Sequence, residues 1–154
     1  IYNAKFFGSP VLITAGLQEQ GHGRTEPMLY DPLVPIAQPL VKWAIECTRI
    51  QDLPLIIHRA AKIALTPPMG PVFLSLPGDV LDDSAQIDIG KPTRVNTQVL
   101  PNQETLNSLL QAILNAENPA IVAGHEVASR DALDEAGDLA LTMRAAALLA
   151  WPLL

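Results

Sequence analysis

A chain of 154 residues that is 49% hydrophobic and only 17% charged holds enough apolar material for a sizeable core, which excludes a disordered chain. A formal net charge of −6 without any Lys/Arg cluster removes the electrostatic basis for a nucleic-acid or anionic-membrane partner. Aromatics are scarce at 5%, so the core has to be built from Ala, Val, Ile and Leu, as in strands covered on both faces by helices.

Residues 1–7 read as the last turns of a helix. Residues 10–16 (PVLITAG) form a continuous β-rich run closed by glycine, the pattern of a central parallel strand. Residues 16–30 are polar, glycine-bearing and aperiodic, and predict a long loop. Asp31 and Pro32 suit the N-cap and first position of a short helix ending before Pro39. Residues 40–47 make a second strand candidate ending on Cys47, the single cysteine. A lone thiol excludes an internal disulfide, fits a reducing compartment and reads as a small buried hydrophobe. Ile50, Leu53, Ile57, Ala60, Ala61 and Ala64 share one helical face, with Pro54 tolerated near the start. Residues 66–70 (TPPMG) stop that helix and residues 71–76 (PVFLSL) give a third strand. This order predicts an α/β fold, a parallel sheet with helices on both faces.

The apolar period is lost over residues 77–101, where Asp79, Asp82, Asp83 and Asp88 alternate with Gly, Pro, Ser and Thr as in a semi-rigid linker. A second α/β unit then begins. Asn102 caps a helix carrying Leu106, Leu109, Leu110, Ile113 and Leu114 on one face. Residues 119–124 (PAIVAG) read as a strand, and Ser129 as the N-cap of a helix lined by Leu133, Ala136, Ala140 and Met143. Residues 147–151 read as the next strand. The expected organisation is residues 1–82, a linker over 83–101, and the start of a second domain over 102–154. The run at 145–154 is too short to span a bilayer, and both chain ends read as those of a piece of a larger protein or, alternatively, of a small complete domain ending in a buried strand.

No phosphate-binding glycine loop, no metal-ligand cluster and no Gly-x-Ser-x-Gly is present in the sequence. His58 reads as a partly buried helix residue, and His22 as a loop residue placed either near a ligand or in solvent. Glu126, Asp131, Asp134 and Glu135 suit the positive end of the last helix. The loop at 16–30 holds the most functional promise, because ligands of doubly wound sheets bind beyond the carboxyl ends of strands. It offers Gln18, Glu19, Gln20 and Arg24 as hydrogen-bonding groups, then the apolar pair Met28 and Leu29. Such a loop either lines a pocket or is an exposed connection.

Residues 10–16, the Gln/Glu-bearing loop, residues 39–43 (PLVKW) and residues 70–80 (GPVFLSLPGDV) together resemble the rear of the pyrimidine-binding domain of thiamine-diphosphate-dependent enzymes. Residues 118–124 (NPAIVAG) resemble the first strand of their central domain, and within the family the benzoylformate decarboxylases are the most similar. The resemblance implies the thiamine-diphosphate-binding fold and a cytoplasmic homodimer or homotetramer that uses thiamine diphosphate and Mg²⁺ to decarboxylate a 2-keto acid. Some relatives bind FAD in the central domain and others an adenine nucleotide; the residues around Gly124 leave that open. The family's catalytic glutamate and histidine match positions before Ile1, and its metal-binding Gly-Asp-Gly lies far downstream; Gly78 and Asp79 are not that motif. The resemblance therefore implies no catalytic residue here. It makes Met28 and Leu29 walls of the substrate pocket, with Met where the decarboxylases have Leu, an exchange that keeps the wall apolar. Gln18, at the strand end, is its weaker candidate for cofactor contact. Two rivals share the skeleton: an acetolactate-synthase-like carboligase, and a non-catalytic α/β domain for oligomerisation or regulation.

Overall fold

The computed structural model describes residues 1–96 and 98–149, the last four of these as backbone. It comprises two compact units, Ile1–Thr97 and Gln98–Leu154.

The first unit runs α1 (Tyr2–Phe6), β1 (Leu12–Leu17), α2 (Leu33–Ala37), β2 (Trp43–Glu46), α3 (Leu53–Leu65), β3 (Val72–Pro77) and α4 (Gly78–Asp82). The three strands form a parallel sheet in the order β1-β3-β2, with Leu12 and Trp43 both aligned on Val72. β3 takes the centre, and β1, expected there, pairs on one side only among the described residues. An apolar run reports the cover above and below a strand, whereas its number of hydrogen-bonded neighbours leaves no mark on side-chain type. Burial shows the difference: β3 is buried at five of six positions, while β1 alternates exposed and half-buried.

The period of two along β3 builds both layers. Leu74 joins Cys47, Ile56 and Val80, and Val72 joins Ala60 and Ala64, so this face carries α3 and α4. Phe73 points the other way, against Ala37 and Val41, with Ile13, Ala15 and Leu33 around it, so that face carries α2. Helices therefore cover both faces of a parallel sheet, and each fully buried Val, Leu or Phe contributes about 1.5–3 kcal/mol.

Several local expectations need correction. The buried positions of α3 are Ile56, Ala60 and Ala64, with Leu53, Ile57 and Ile63 half-buried, whereas Ala61 faces solvent and Ile50 lies in a separate 3-10 turn, Ile50–Asp52. The stripe drifts because 3.6 residues per turn carries it from Leu53 to Ile56 as well as to Ile57. Pro32, not Asp31, takes the cap position of α2, and no side chain caps that helix. The segment after β3 starts as α4 rather than as linker, because Val80 is buried against Cys47 and Leu74. Lys42 closes α3 from outside: its ammonium donates to the Ile63 and Thr66 carbonyls at 2.6 Å each, at the negative end of the helix.

The second unit runs α5 (Gln103–Leu114), β4 (Ala120–Ala123), α6 (His125–Ser129), α7 (Leu133–Met143) and β5 (Ala146–Leu149), with β4 and β5 parallel. Asn102 caps α5 as expected, its Oδ1 accepting from the Thr105 amide at 2.8 Å. Ser129 does not cap α7. It is the last residue of α6, and its hydroxyl donates back to the Glu126 carbonyl at 3.0 Å, while Ala132 precedes α7 with no side-chain cap. The acidic stretch is split accordingly, with Glu126 in the first turn of α6 and Asp134 and Glu135 in that of α7. Positions 150 and 151 of the expected last strand lie outside the described residues.

Candidate functional site

The loop that leaves the carboxyl end of β1 is a built structure. Gly21 (φ +85°) reverses the chain into a 3-10 turn, His22–Thr25, and the Tyr30 phenol lies so close over Gly23 that a Cβ there would force that ring to shift. The Thr25 hydroxyl donates to the His22 carbonyl at 2.8 Å, and the Tyr30 amide donates to the Pro27 carbonyl at 3.1 Å. Gln18 closes the base, its Nε2 donating to the Met28 carbonyl at 3.2 Å. Two of the three residues singled out from the sequence are thus in direct contact.

Met28 and Leu29 project into solvent at 84% and 87% exposure, and Leu29 sits in the left-handed region at φ +67°. A γ-branched side chain there costs about 1–2 kcal/mol. The loop spends backbone energy to display an apolar pair that nothing in its own unit buries.

The outer part of the loop is tied to the scaffold. The Gln20 amide N–H donates to Asp79 Oδ1 at 3.1 Å, and its Nε2 donates both to Asp79 Oδ2 at 2.8 Å and to the Thr48 carbonyl at 3.0 Å. Asp79 stands in the first turn of α4, directly after β3, and Thr48 follows β2. Desolvation would raise the Asp79 carboxyl, but the hydrogen bonds from Gln20, then those from the Asp79 and Val80 amides, outweigh it and hold the group below its ordinary value. In the sequence Asp79 reads as one of four aspartates of the linker stretch and as the end of the 70–80 motif, with no role in a site. Its place immediately after a strand, at the ligand-binding end of the sheet, is the signal for such a role.

The three histidines stand on different elements. His22 is exposed, with its Nδ1 3.6 Å from Glu19 Oε2; His58 is half-buried in α3; His125 begins α6 in the other unit. Among the described residues no three His, Cys, Asp or Glu side chains are grouped so as to hold a metal ion, and no helix is long and apolar enough to cross a membrane. Cys47 is fully buried, and burial, with Asp52 adding to it, pushes its thiol up despite a hydrogen bond to the Arg49 carbonyl at 3.2 Å; this is a structural cysteine, not a nucleophile. Inside the sheet, the buried Ser75 hydroxyl donates to Glu46 Oε2 at 3.3 Å.

No protein-family model matches the chain. Benzoylformate decarboxylase of Pseudomonas aeruginosa is 33% identical over 154 residues, covering 96% of this chain and 29% of that protein. The acetolactate synthase large subunit of Buchnera aphidicola subsp. Schizaphis graminum is 28% identical over 108 residues, 67% of this chain and 19% of that protein. Among solved structures, the thiamine diphosphate-dependent 4-hydroxybenzoylformate decarboxylase of Rhodococcus jostii superposes with a TM-score of 0.83 at 30% identity, over 95% of this chain and 28% of its own. The chain spans less than a third of the length of these relatives. In sequence and in fold, this chain is a homologue of a segment of the thiamine-diphosphate-dependent enzymes, most like benzoylformate decarboxylase among these relatives.

Proposed function

We propose that the chain is part of a thiamine-diphosphate-dependent decarboxylase acting on an aromatic 2-keto acid of the benzoylformate type. In this reading, residues 1–82 are the rear of the pyrimidine-binding domain and residues 102–154 open the central domain. The observation that carries the reading is the match to benzoylformate decarboxylase over nearly the whole chain, including the loop that displays Met28 and Leu29.

The residues present fit one end of the cofactor. An aminopyrimidine and an aromatic substrate need an apolar wall and a few directed hydrogen bonds, and the loop offers both. Gln18 would meet the cofactor through its carboxamide oxygen, since its nitrogen is given to Met28. The diphosphate needs cationic partners and Mg²⁺ needs oxygen-anion ligands, which this reading assigns to other parts of the parent protein. When bound, the cofactor supplies a nucleophilic carbon and an electron sink for loss of CO₂. The contribution of this chain is to seat the aryl group against Met28 and Leu29 and to exclude water from that side. The reading includes a homo-oligomeric, cytoplasmic parent, in which a neighbouring subunit covers the exposed pair.

The match to the acetolactate synthase subunit favours a second reading, a carboligase on the same skeleton. Incubating the parent protein with thiamine diphosphate, Mg²⁺ and either benzoylformate or pyruvate separates the two. The decarboxylase gives benzaldehyde and CO₂ from benzoylformate; acetolactate as the main product from pyruvate establishes the carboligase.

A further inference from the structure

We propose that Asp79 is a positioning residue for the substrate-facing loop, acting through Gln20. The inference rests on the reading of Met28 and Leu29 as a pocket wall.

Three hydrogen bonds converge on Gln20, and their partners stand just beyond the carboxyl ends of the other two strands of the sheet. Asp79 follows β3 and Thr48 follows β2, while the loop itself leaves β1. One residue thus registers the loop against the whole sheet. The chemistry is directional. Gln20 uses its side-chain nitrogen on two acceptors, the Asp79 carboxylate and the Thr48 carbonyl. Turning the amide over would set its oxygen against both, acceptor facing acceptor. Position 79 therefore needs a group that accepts at both ends, as an ionised carboxylate does and a carboxamide does not. Asp79 is itself fixed, because the adjacent Val80 anchors α4 in the core beside Cys47 and Leu74. The tether continues inward: two residues before Gln20, Gln18 holds the Met28 carbonyl, so displacement at residue 20 is passed to the apolar pair.

The test compares D79N, D79E and Q20A in the parent protein. Hydrogen exchange over residues 18–30 should rise about tenfold in D79N and Q20A, the scale of one or two net hydrogen bonds, and the double variant should exchange no faster than either single one. D79E, which keeps both acceptors, should restore part of the protection. KM for benzoylformate should rise several-fold with kcat changed less, because the loop seats the substrate and carries no reacting group. Unchanged exchange in Q20A overturns the proposal, whatever the protein's activity. Faster exchange with an unchanged KM supports the tether and overturns the pocket-wall reading instead. Should D79N fail to fold, Q20A, altered at an exposed side chain, decides alone.

Discussion

Phe73 and Leu74 are consecutive residues buried in opposite faces of one sheet, at 5% and 0% exposure. Their alternation places α2 against one side and α3 with α4 against the other, and so sets the layer on which the candidate loop is mounted. Truncating Leu74 removes the middle of one layer and leaves a cavity walled by Cys47, Ile56 and Val80. Leu74→Ala should cost about 2–5 kcal/mol, whereas Leu12→Ala, on the exposed face of β1, should cost under about 1 kcal/mol. Denaturant dependence of amide exchange in β3 measures both.

Leu29 should show display and stability pulling apart. Leu29→Gly removes the left-handed penalty and adds flexibility to the unfolded chain, two terms of about 1 kcal/mol each and opposite sign. Thermal unfolding should therefore shift little. Activity of the parent protein on benzoylformate should nevertheless fall, because half of the proposed wall is gone. A marked loss of stability would instead make Leu29 a packing residue.

The Asp79 clamp should depend on pH. Its carboxyl is held below the ordinary value of about 3.9, so the folded state is favoured by its ionisation above that pH and loses this contribution as pH falls through the lowered folded value. The Gln20 amide resonance, followed by NMR from pH 6 downward, should move with a midpoint below about 3.9, and that transition should be absent in D79N. A midpoint at or above the ordinary value would mean that the clamp does not form in solution.

In the second unit, Asn102 is the one residue seen to cap α5 with its side chain. Asn102→Ala should destabilise that helix by about 1 kcal/mol, read as faster exchange of amides in its first two turns, while Asn102→Asp should hold it.

What was legible in the sequence follows from what side-chain type encodes. Apolar runs report burial, so the three strands, α3 and Cys47 as a buried thiol could be read directly; α5 could be read from its period of 3.6 and its Asn102 cap, although its Leu106, Leu109, Leu110 and Leu114 face is exposed. The order of strands could not, since β1 and β3 are both apolar and differ in the number of neighbours that hydrogen-bond to them. Ser129 is ambiguous in the sequence because a hydroxyl that can cap a following helix can equally donate back to the carbonyl three residues earlier, as it does here. Of the site, the sequence gives an apolar pair in a polar loop; that Gln18 braces Met28 and Asp79 anchors Gln20 are contacts across 10 and 59 residues, which composition cannot announce.

The apolar wall at Met28 and Leu29 is tested most directly by the ratio of kcat/KM for benzoylformate to that for pyruvate, measured on the parent protein and on its Met28→Ala, Leu29→Ala double variant. Loss of two apolar side chains from an aryl-binding wall should lower that ratio by at least about tenfold, since each is worth on the order of 1–3 kcal/mol of discrimination. The unsubstituted protein should prefer benzoylformate and release benzaldehyde, and the variant should lose that preference. A protein that prefers pyruvate, or a ratio that the double variant leaves unchanged, would contradict an aryl-binding wall.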